Sequence, residues 1–218
     1  MHMNRYDLVI FDVDGTILDT SEGVISAVKH TIEELKLTML PDEALAGFIG
    51  PPIQDSFEKA YGISGSMLQD IASVFRDYYK GTDLFKAIPY EGIHRVFQEL
   101  KKREMLSAIA TYKREDYAVA LLNHFGFDRY TGNMHGADHE NKRKKKDIIE
   151  MCISESGITD KSRVVMIGDT EHDAIGAELT GIDFIGVVFG FGFKSVEDIA
   201  RVKHVGCCVK AEDILRYL

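Results

Sequence analysis

Tyr6-Asp7-Leu8-Val9-Ile10-Phe11-Asp12-Val13-Asp14-Gly15-Thr16 is an apolar run that ends abruptly in two carboxylates. With Leu8 to Phe11 as a buried strand, successive side chains alternate faces, so Asp12 and Asp14 emerge on one side of the chain at the strand's carboxyl end. Open α/β sheets bind their ligands at that end. Two like charges so close repel each other, and either a cation between them or a proton on one relieves the repulsion. Gly15 permits a sharp turn out of the strand, and Thr16 offers a hydroxyl for a local hydrogen bond or for an anion.

Further strand-like runs lie at Leu106 to Thr111, Val164 to Ile167 and Asp183 to Val188, with helical patterns between them. That alternation predicts an α/β fold, a Rossmann-like parallel sheet with helices on both faces. It breaks from about Thr20 to Lys86. There the periodicity is helical only, through Val24, Ile25, Val28, Ile32 and Leu35, then through Ile71, Val74, Phe75 and Tyr78. The expected division is therefore a core of residues 1–19 and 87–218, with residues 20–86 as an inserted all-helical unit. An insert directly after the first strand hangs over the carboxyl ends of the strands, as a lid would, with hinges at both its ends. Its rigid Gly50-Pro51-Pro52 turn either presents its neighbours to a pocket or merely connects two helices.

The length of 218 residues suits one large or two small domains. A formal charge of -9 opposes DNA and membrane surfaces as partners, but not a small phosphate, which responds to the local field of its pocket. Cys152, Cys207 and Cys208 show no metal-ligand spacing, and the adjacent pair cannot easily bridge to each other. A reducing cytoplasm fits. No apolar stretch is long enough to span a bilayer, and the N-terminus lacks the plan of a signal peptide.

Three later stations follow the aspartate pair. The strand from Leu106 ends in Thr111-Tyr112-Lys113, which offers a hydroxyl and free backbone N–H groups where a helix should begin, a favourable place for an anion or simply a helix cap. Next comes Lys142-Arg143-Lys144-Lys145-Lys146 before a helix that starts near Asp147. Positive charge at a helix N-terminus opposes the macrodipole, so at least one of these side chains is expected to pair with an anion while the others are solvated. Last is Val164-Val165-Met166-Ile167-Gly168-Asp169-Thr170-Glu171-His172-Asp173. A helix starting soon after Asp169 puts Asp173 one turn along, facing back to the strand end. Read otherwise, Asp169 is an N-cap and Asp173 a first-turn acid. Carboxylates with water suit magnesium.

Asp12-Val13-Asp14-Gly15-Thr16, Thr111, a lysine before a helix, and Gly168-Asp169 with Asp173 resemble the four ordered motifs of the haloacid dehalogenase-like phosphohydrolases. The resemblance spans nearly the whole chain, and the insert looks like that superfamily's helical first-position cap. Phe48-Ile49-Gly50-Pro51-Pro52 and Gly181-Ile182, followed by Gly186-Val187 and Phe189-Gly190-Phe191-Gly192, are similar to phosphoglycolate phosphatase-like members. Two departures stand out. Tyr112 occupies a place where the family often has a small or amide residue, and the lysine is ambiguous, with Lys145 the best match in spacing and Lys144 and Lys146 its rivals.

The resemblance implies a magnesium-dependent phosphate monoester hydrolase working through an aspartyl-phosphate. Asp12 is then the nucleophile and Asp14 the general acid and base, while Thr111 and Lys145 hold the phosphoryl oxygens. The metal set comprises Asp12, Asp14 through its backbone oxygen, Asp169, and Asp173, which orients Lys145 or a metal-bound water. Gly15, Thr16, Tyr112, Gly50 and Pro51 are the expected substrate contacts. The expected partner is a small phosphorylated metabolite, with no nucleic acid or membrane, and the expected state a monomer or weak homodimer. Within the superfamily the alternatives are a nucleoside monophosphate phosphatase or a pyrophosphatase. From another class, a receiver-like phosphoacceptor module uses similar residues, but its metal-binding acids are adjacent, it needs no cap, and it is about half this length.

Overall fold

In the computed structural model, which describes residues 4–218, the chain runs β1 (Leu8–Phe11), β2 (Leu18–Asp19), α1 (Ser21–Glu34), α2 (Asp42–Ala46), α3 (Ile53–Tyr61), α4 (Met67–Tyr79), β3 (Ile88–Pro89), α5 (Ile93–Lys102), β4 (Leu106–Arg114), α6 (Glu115–His124), β5 (Met134–Ala137), α7 (Lys145–Ser156), β6 (Val164–Gly168), α8 (Glu171–Thr180), β7 (Asp183–Val187), α9 (Val196–Ile199) and β8 (Gly206–Cys208). Short 3-10 turns lie at Thr82–Phe85, Lys161–Arg163 and Ala211–Arg216. No helix of the described residues is long and apolar enough to cross a membrane.

Six strands form one parallel sheet in the order β5-β4-β1-β6-β7-β8. All four side chains of β1 are buried, as expected of a central strand covered on both faces. Alternate residues sort to opposite sides. Val9, Phe11, Ile109, Val165 and Ile167 pack with α5 and α6 through Val96, Phe97 and Leu121. Leu8, Ile10, Ala108, Ala110 and Met166 pack with α7 and α8 through Ile148, Ile149, Cys152 and Ala177. After β1 the chain moves toward β4 and β5, whereas after β6 it moves toward β7 and β8. The crevice between β1 and β6 is therefore the switch point at which such sheets bind ligands.

The expected α/β core is present, with three differences in its elements. The sheet also contains β5 and β8, and β2 pairs with β3 in a separate antiparallel ribbon, Leu18 opposite Pro89 and Asp19 opposite Ile88. These pieces are two to four residues long and poor in β-branched residues, so nothing in their local composition marks them as strands. The second difference is at β4, which continues to Arg114. Its pairing with β5 is interrupted between Ala110 and Arg114, so Thr111-Tyr112-Lys113 lies inside a strand with an irregular edge rather than at the mouth of a helix, and α6 opens only at Glu115. The third is α7, which starts at Lys145, two residues before Asp147.

Residues between β2 and β3 form α1 to α4 and a 3-10 turn, and no strand occurs there among the described residues. Val28, Ile32, Phe57, Phe75 and Tyr79 from this stretch belong to the same apolar cluster as α5 and α6. The two connections into and out of it run side by side in the β2–β3 ribbon.

Candidate active site

Beyond β1 the chain folds back on itself, with the N–H groups of Thr16, Ile17 and Leu18 all donating to the Val13 carbonyl and Gly15 N–H to that of Leu18. This knot holds both aspartates under cover, each 4% exposed. Gly15 has φ +82, and a Cβ there would lie 2.2 Å from Asp169 Oδ2. Only glycine fits both the backbone and the space.

Lys145 is the first residue of α7. Its stem crosses α8 at Gly176, where a Cβ would come within 2.6 Å of Lys145 Cγ. Its ammonium lies 2.8 Å from Asp12 Oδ1, 2.8 Å from Asp173 Oδ1 and 3.1 Å from the Ala110 carbonyl. The rest of the basic run goes elsewhere. Lys142 and Lys144 are exposed, Arg143 pairs with Glu115 at 2.9 Å, and half-buried Lys146 lies 3.8 Å from Glu150.

Tyr112 fixes the lysine from the other side. Its hydroxyl accepts the backbone N–H of Lys145 at 3.0 Å, satisfying one of the donors that a helix N-terminus leaves unpaired. The Tyr112 ring centroid is 5.1 Å from the Lys145 ammonium, and His172 packs edge-on against the ring at 5.5 Å.

Asp169 follows β6 and is fully buried. Its Oδ2 accepts the N–H groups of Phe191 at 2.7 Å and Gly192 at 3.0 Å, while Oδ1 has no partner. The N-cap of α8 is Thr170, not Asp169. Asp173 serves that cap, its Oδ2 accepting Thr170 N–H at 3.1 Å and Oγ1 at 2.7 Å, and turns Oδ1 toward Lys145. Asp12, Asp169 and Asp173 each offer a carboxylate oxygen within 4.8 Å of the others. These acids fit a metal site, and the orphaned Oδ1 of Asp169 is the kind of buried acceptor that a bound cation would satisfy.

The Asp14 carboxylate stands outside that trio. Its Oδ1 accepts Thr20 Oγ1 at 2.5 Å and lies 3.1 Å from the ammonium of Lys113, which also donates to Tyr79 Oη on α4 at 2.9 Å. Lys113, Thr20 and Tyr79 were not singled out from the sequence. Lys113 had a usable signal, because residues 111 and 113 share one face of an extended strand once β4 is carried through to Arg114. Thr111 is buried and its Oγ1 accepts the Lys113 N–H at 3.1 Å. Buried Thr16 Oγ1 has no partner. Gly50 and Pro51 line, with Asp14, Tyr79, Tyr112 and Lys113, a cleft enclosing about 610 Å³ of empty space, part of it open to solvent.

Four buried carboxylates thus face two buried lysines. Burial, reinforced by the Asp173 and Asp14 charges and opposed by Lys145, pushes the Asp12 carboxyl up to about 7. Burial with the Asp173 and Asp12 charges pushes Asp169 up to about 8. For Lys145 and Lys113, burial acts to lower the pKa, but their acidic partners outweigh it and the net direction is upward. The lysines stay charged, and the excess negative charge is concentrated where the three acids converge.

The family described as haloacid dehalogenase-like hydrolase matches residues 9–187. Among curated relatives, a 5'-nucleotidase of Pseudomonas aeruginosa is 32% identical over 190 residues, covering 86% of this chain and 85% of that protein. The tyrosine-protein kinase PtkA of Mycobacterium tuberculosis is 29% identical over 85% of this chain, which spans only 63% of that protein. A phosphoglycolate phosphatase of Mesorhizobium japonicum is 27% identical, with 88% and 86% covered. Among solved structures, a predicted phosphatase from Clostridium acetobutylicum superposes with a TM-score of 0.88 at 29% identity, over 98% of this chain and 100% of that one.

Proposed function

The chain belongs to the haloacid dehalogenase-like hydrolase family and is a phosphoric monoester hydrolase, and we propose that it cleaves small-molecule phosphate esters, phosphoglycolate-like ones foremost, through a phosphoenzyme on Asp12. The observation that carries this reading is the separation of the two leading aspartates into different surroundings: Asp12 against Lys145 and the acidic trio, Asp14 against Thr20 and Lys113 at the cleft. Two carboxylates with different neighbours suit different tasks, one nucleophilic and one acid-base.

Asp12 attacks phosphorus and takes the phosphoryl group, while Asp14 gives a proton to the departing oxygen and then accepts one from the water that clears Asp12. Lys145 balances charge beside Asp12, and Thr111 at the irregular edge of β4 holds phosphoryl oxygens. Tyr112 orients Lys145, and Asp173 keeps its ammonium in place. Asp12, Asp169 and the backbone oxygen of Asp14, with Asp173 adjoining, would hold magnesium, which would supply the positive charge that lets an anionic ester approach a carboxylate. Residues 20–86 act as a lid that excludes water, with Tyr79 carrying the position of α4 to Lys113 and so to Asp14. We place the protein in the cytoplasm, in keeping with its free cysteines Cys152, Cys207 and Cys208.

A nucleoside monophosphate is the second reading, favoured by the Pseudomonas 5'-nucleotidase and by the aromatic wall that Phe48, Phe75, Tyr79 and Tyr117 give the cleft. Phosphate release from phosphoglycolate, a nucleoside monophosphate and pyrophosphate, with magnesium and with a chelator, separates the readings. Asp12→Asn should abolish turnover of every substrate while thermal unfolding stays cooperative. Full turnover by that variant would refute the mechanism.

A further inference from the structure

The cleft beside Asp14 carries more positive charge than one phosphate needs. Lys113 and Arg114 line it from the end of β4, and Arg76 lines it from α4. Lys113 is engaged by Asp14 and Tyr79. Arg114 is paired with Asp116 and lies over the Tyr117 ring, 4.0 Å from its centroid. Arg76 is half-buried, and no ion pair or side-chain hydrogen bond engages its guanidinium among the described residues.

The acids of the cleft are not free to serve it. Asp14 is taken by Thr20 and Lys113, and Asp138 accepts the N–H groups of Glu140, Lys142 and Arg143. Burial and the neighbouring Arg114 charge both act against the charged form of Arg76. Asp116, the nearby acid that favours the charged form, is itself paired with Arg114, so two guanidiniums share one carboxylate, and a half-buried guanidinium left without a direct partner is an arrangement that an incoming anion would relieve. The planar fork of a guanidinium suits the two oxygens of a carboxylate or phosphate. Arg76 also sits three residues before Tyr79, the α4 side chain tied through Lys113 to Asp14, which is the leaving-group side of the reaction.

We propose that Arg76, with Arg114 beside it, forms a subsite for a second anionic group on the leaving group, so that the preferred esters carry a carboxylate or a further phosphate besides the one removed. The inference rests on the phosphatase reading above. An Arg76 contact made to the leaving group before and during cleavage acts mainly on KM.

Three esters test it with magnesium present: phosphoglycolate, its uncharged amide counterpart carbamoylmethyl phosphate, and ethylene glycol bisphosphate. The wild type should favour a charged ester over the amide by at least about 10-fold in kcat/KM, and Arg76→Gln should cut that preference by about 10-fold to 100-fold, chiefly through KM, the range for a lost charged hydrogen bond. Arg76→Lys should recover part of it. Whichever charged ester loses more identifies the anion that the subsite reads. An unchanged preference in Arg76→Gln, or an equal loss on all three esters, overturns the subsite and leaves the phosphatase reading standing. No phosphate release by the wild type from any of the three overturns that reading and the subsite with it.

Discussion

Replacing Lys145 by methionine keeps most of the stem that crosses Gly176 and deletes only the charge, which makes it the sharpest test of the buried cluster. In the wild type the ammonium sits 2.8 Å from both Asp12 Oδ1 and Asp173 Oδ1, with its side chain 4% exposed. Removing one member of such a buried ion group leaves uncompensated charge and costs about 3–5 kcal/mol. In a protein of this size that corresponds to roughly 6–20 °C in Tm, at about 2–4 °C per kcal/mol. The loss should depend on pH. Asp12, already pushed up to about 7 by burial and its acidic neighbours, is held there against the downward pull of Lys145, so in the variant it keeps its proton to still higher pH. At pH 5.5 the neutral acid needs no counter-ion and the penalty shrinks; at pH 8.5 it is largest. Thermal and urea unfolding of both proteins at the two pH values, in chelator, measure it. Equal destabilisation at both values, or a variant as stable as the wild type at pH 8.5, would refute the electrostatic account of this lysine.

Three further outcomes follow from the same geometry. In the metal-free wild type, burial and the neighbouring acids push the Asp12 and Asp169 carboxyls up to about 7 and about 8 from the ordinary 3.8, so the folded state holds protons more tightly and stability falls as pH rises from about 4 through 8; magnesium should raise Tm more at pH 8 than at pH 5, and equal shifts at both would contradict the acidic trio as its site. Asp14→Asn should slow turnover by about 100-fold to 10,000-fold with a poor leaving group, the range for lost acid-base help, and an unchanged steady-state rate would remove Asp14 from that role. Tyr112→Phe keeps the ring over Lys145 but leaves the Lys145 N–H without its acceptor, which should cost about 1–3 kcal/mol in unfolding experiments and lower kcat more than it raises KM; a variant matching the wild type in both would show that the hydroxyl positions nothing.

The reach of the sequence differs from element to element. β1 was legible because four consecutive apolar residues flanked by acids have few other uses, and β6 and β7 were legible as apolar, β-branched runs, the first ending in Gly168-Asp169 and the second opening on Asp183. Lys145 was legible as the best of three lysines by spacing, and the structure buries that one alone of the run. β5 and β8 were not legible, since strands of three or four residues at the sheet's edges take their form from a neighbour's backbone rather than from their own side chains. Lys113 escaped because its meaning depends on β4 lying beside β1 and running on to Arg114, and on α4 bringing Tyr79 down to it.

Local chemistry in the sequence determined the order of the stations: which acids end which strands, which glycines turn the chain, where helical periodicity displaces the alternation. Tertiary structure decided how each oxygen is used. Asp169 gives Oδ2 to the backbone of Phe191 and Gly192 and keeps Oδ1 free, Asp173 divides itself between the cap of α8 and Lys145, and Asp14 turns away from the other acids toward Thr20 and Lys113. Such assignments depend on distances between residues far apart in the chain, which are fixed only when the two layers of helices close on the sheet and burial makes each unpaired charge too costly to leave as it is.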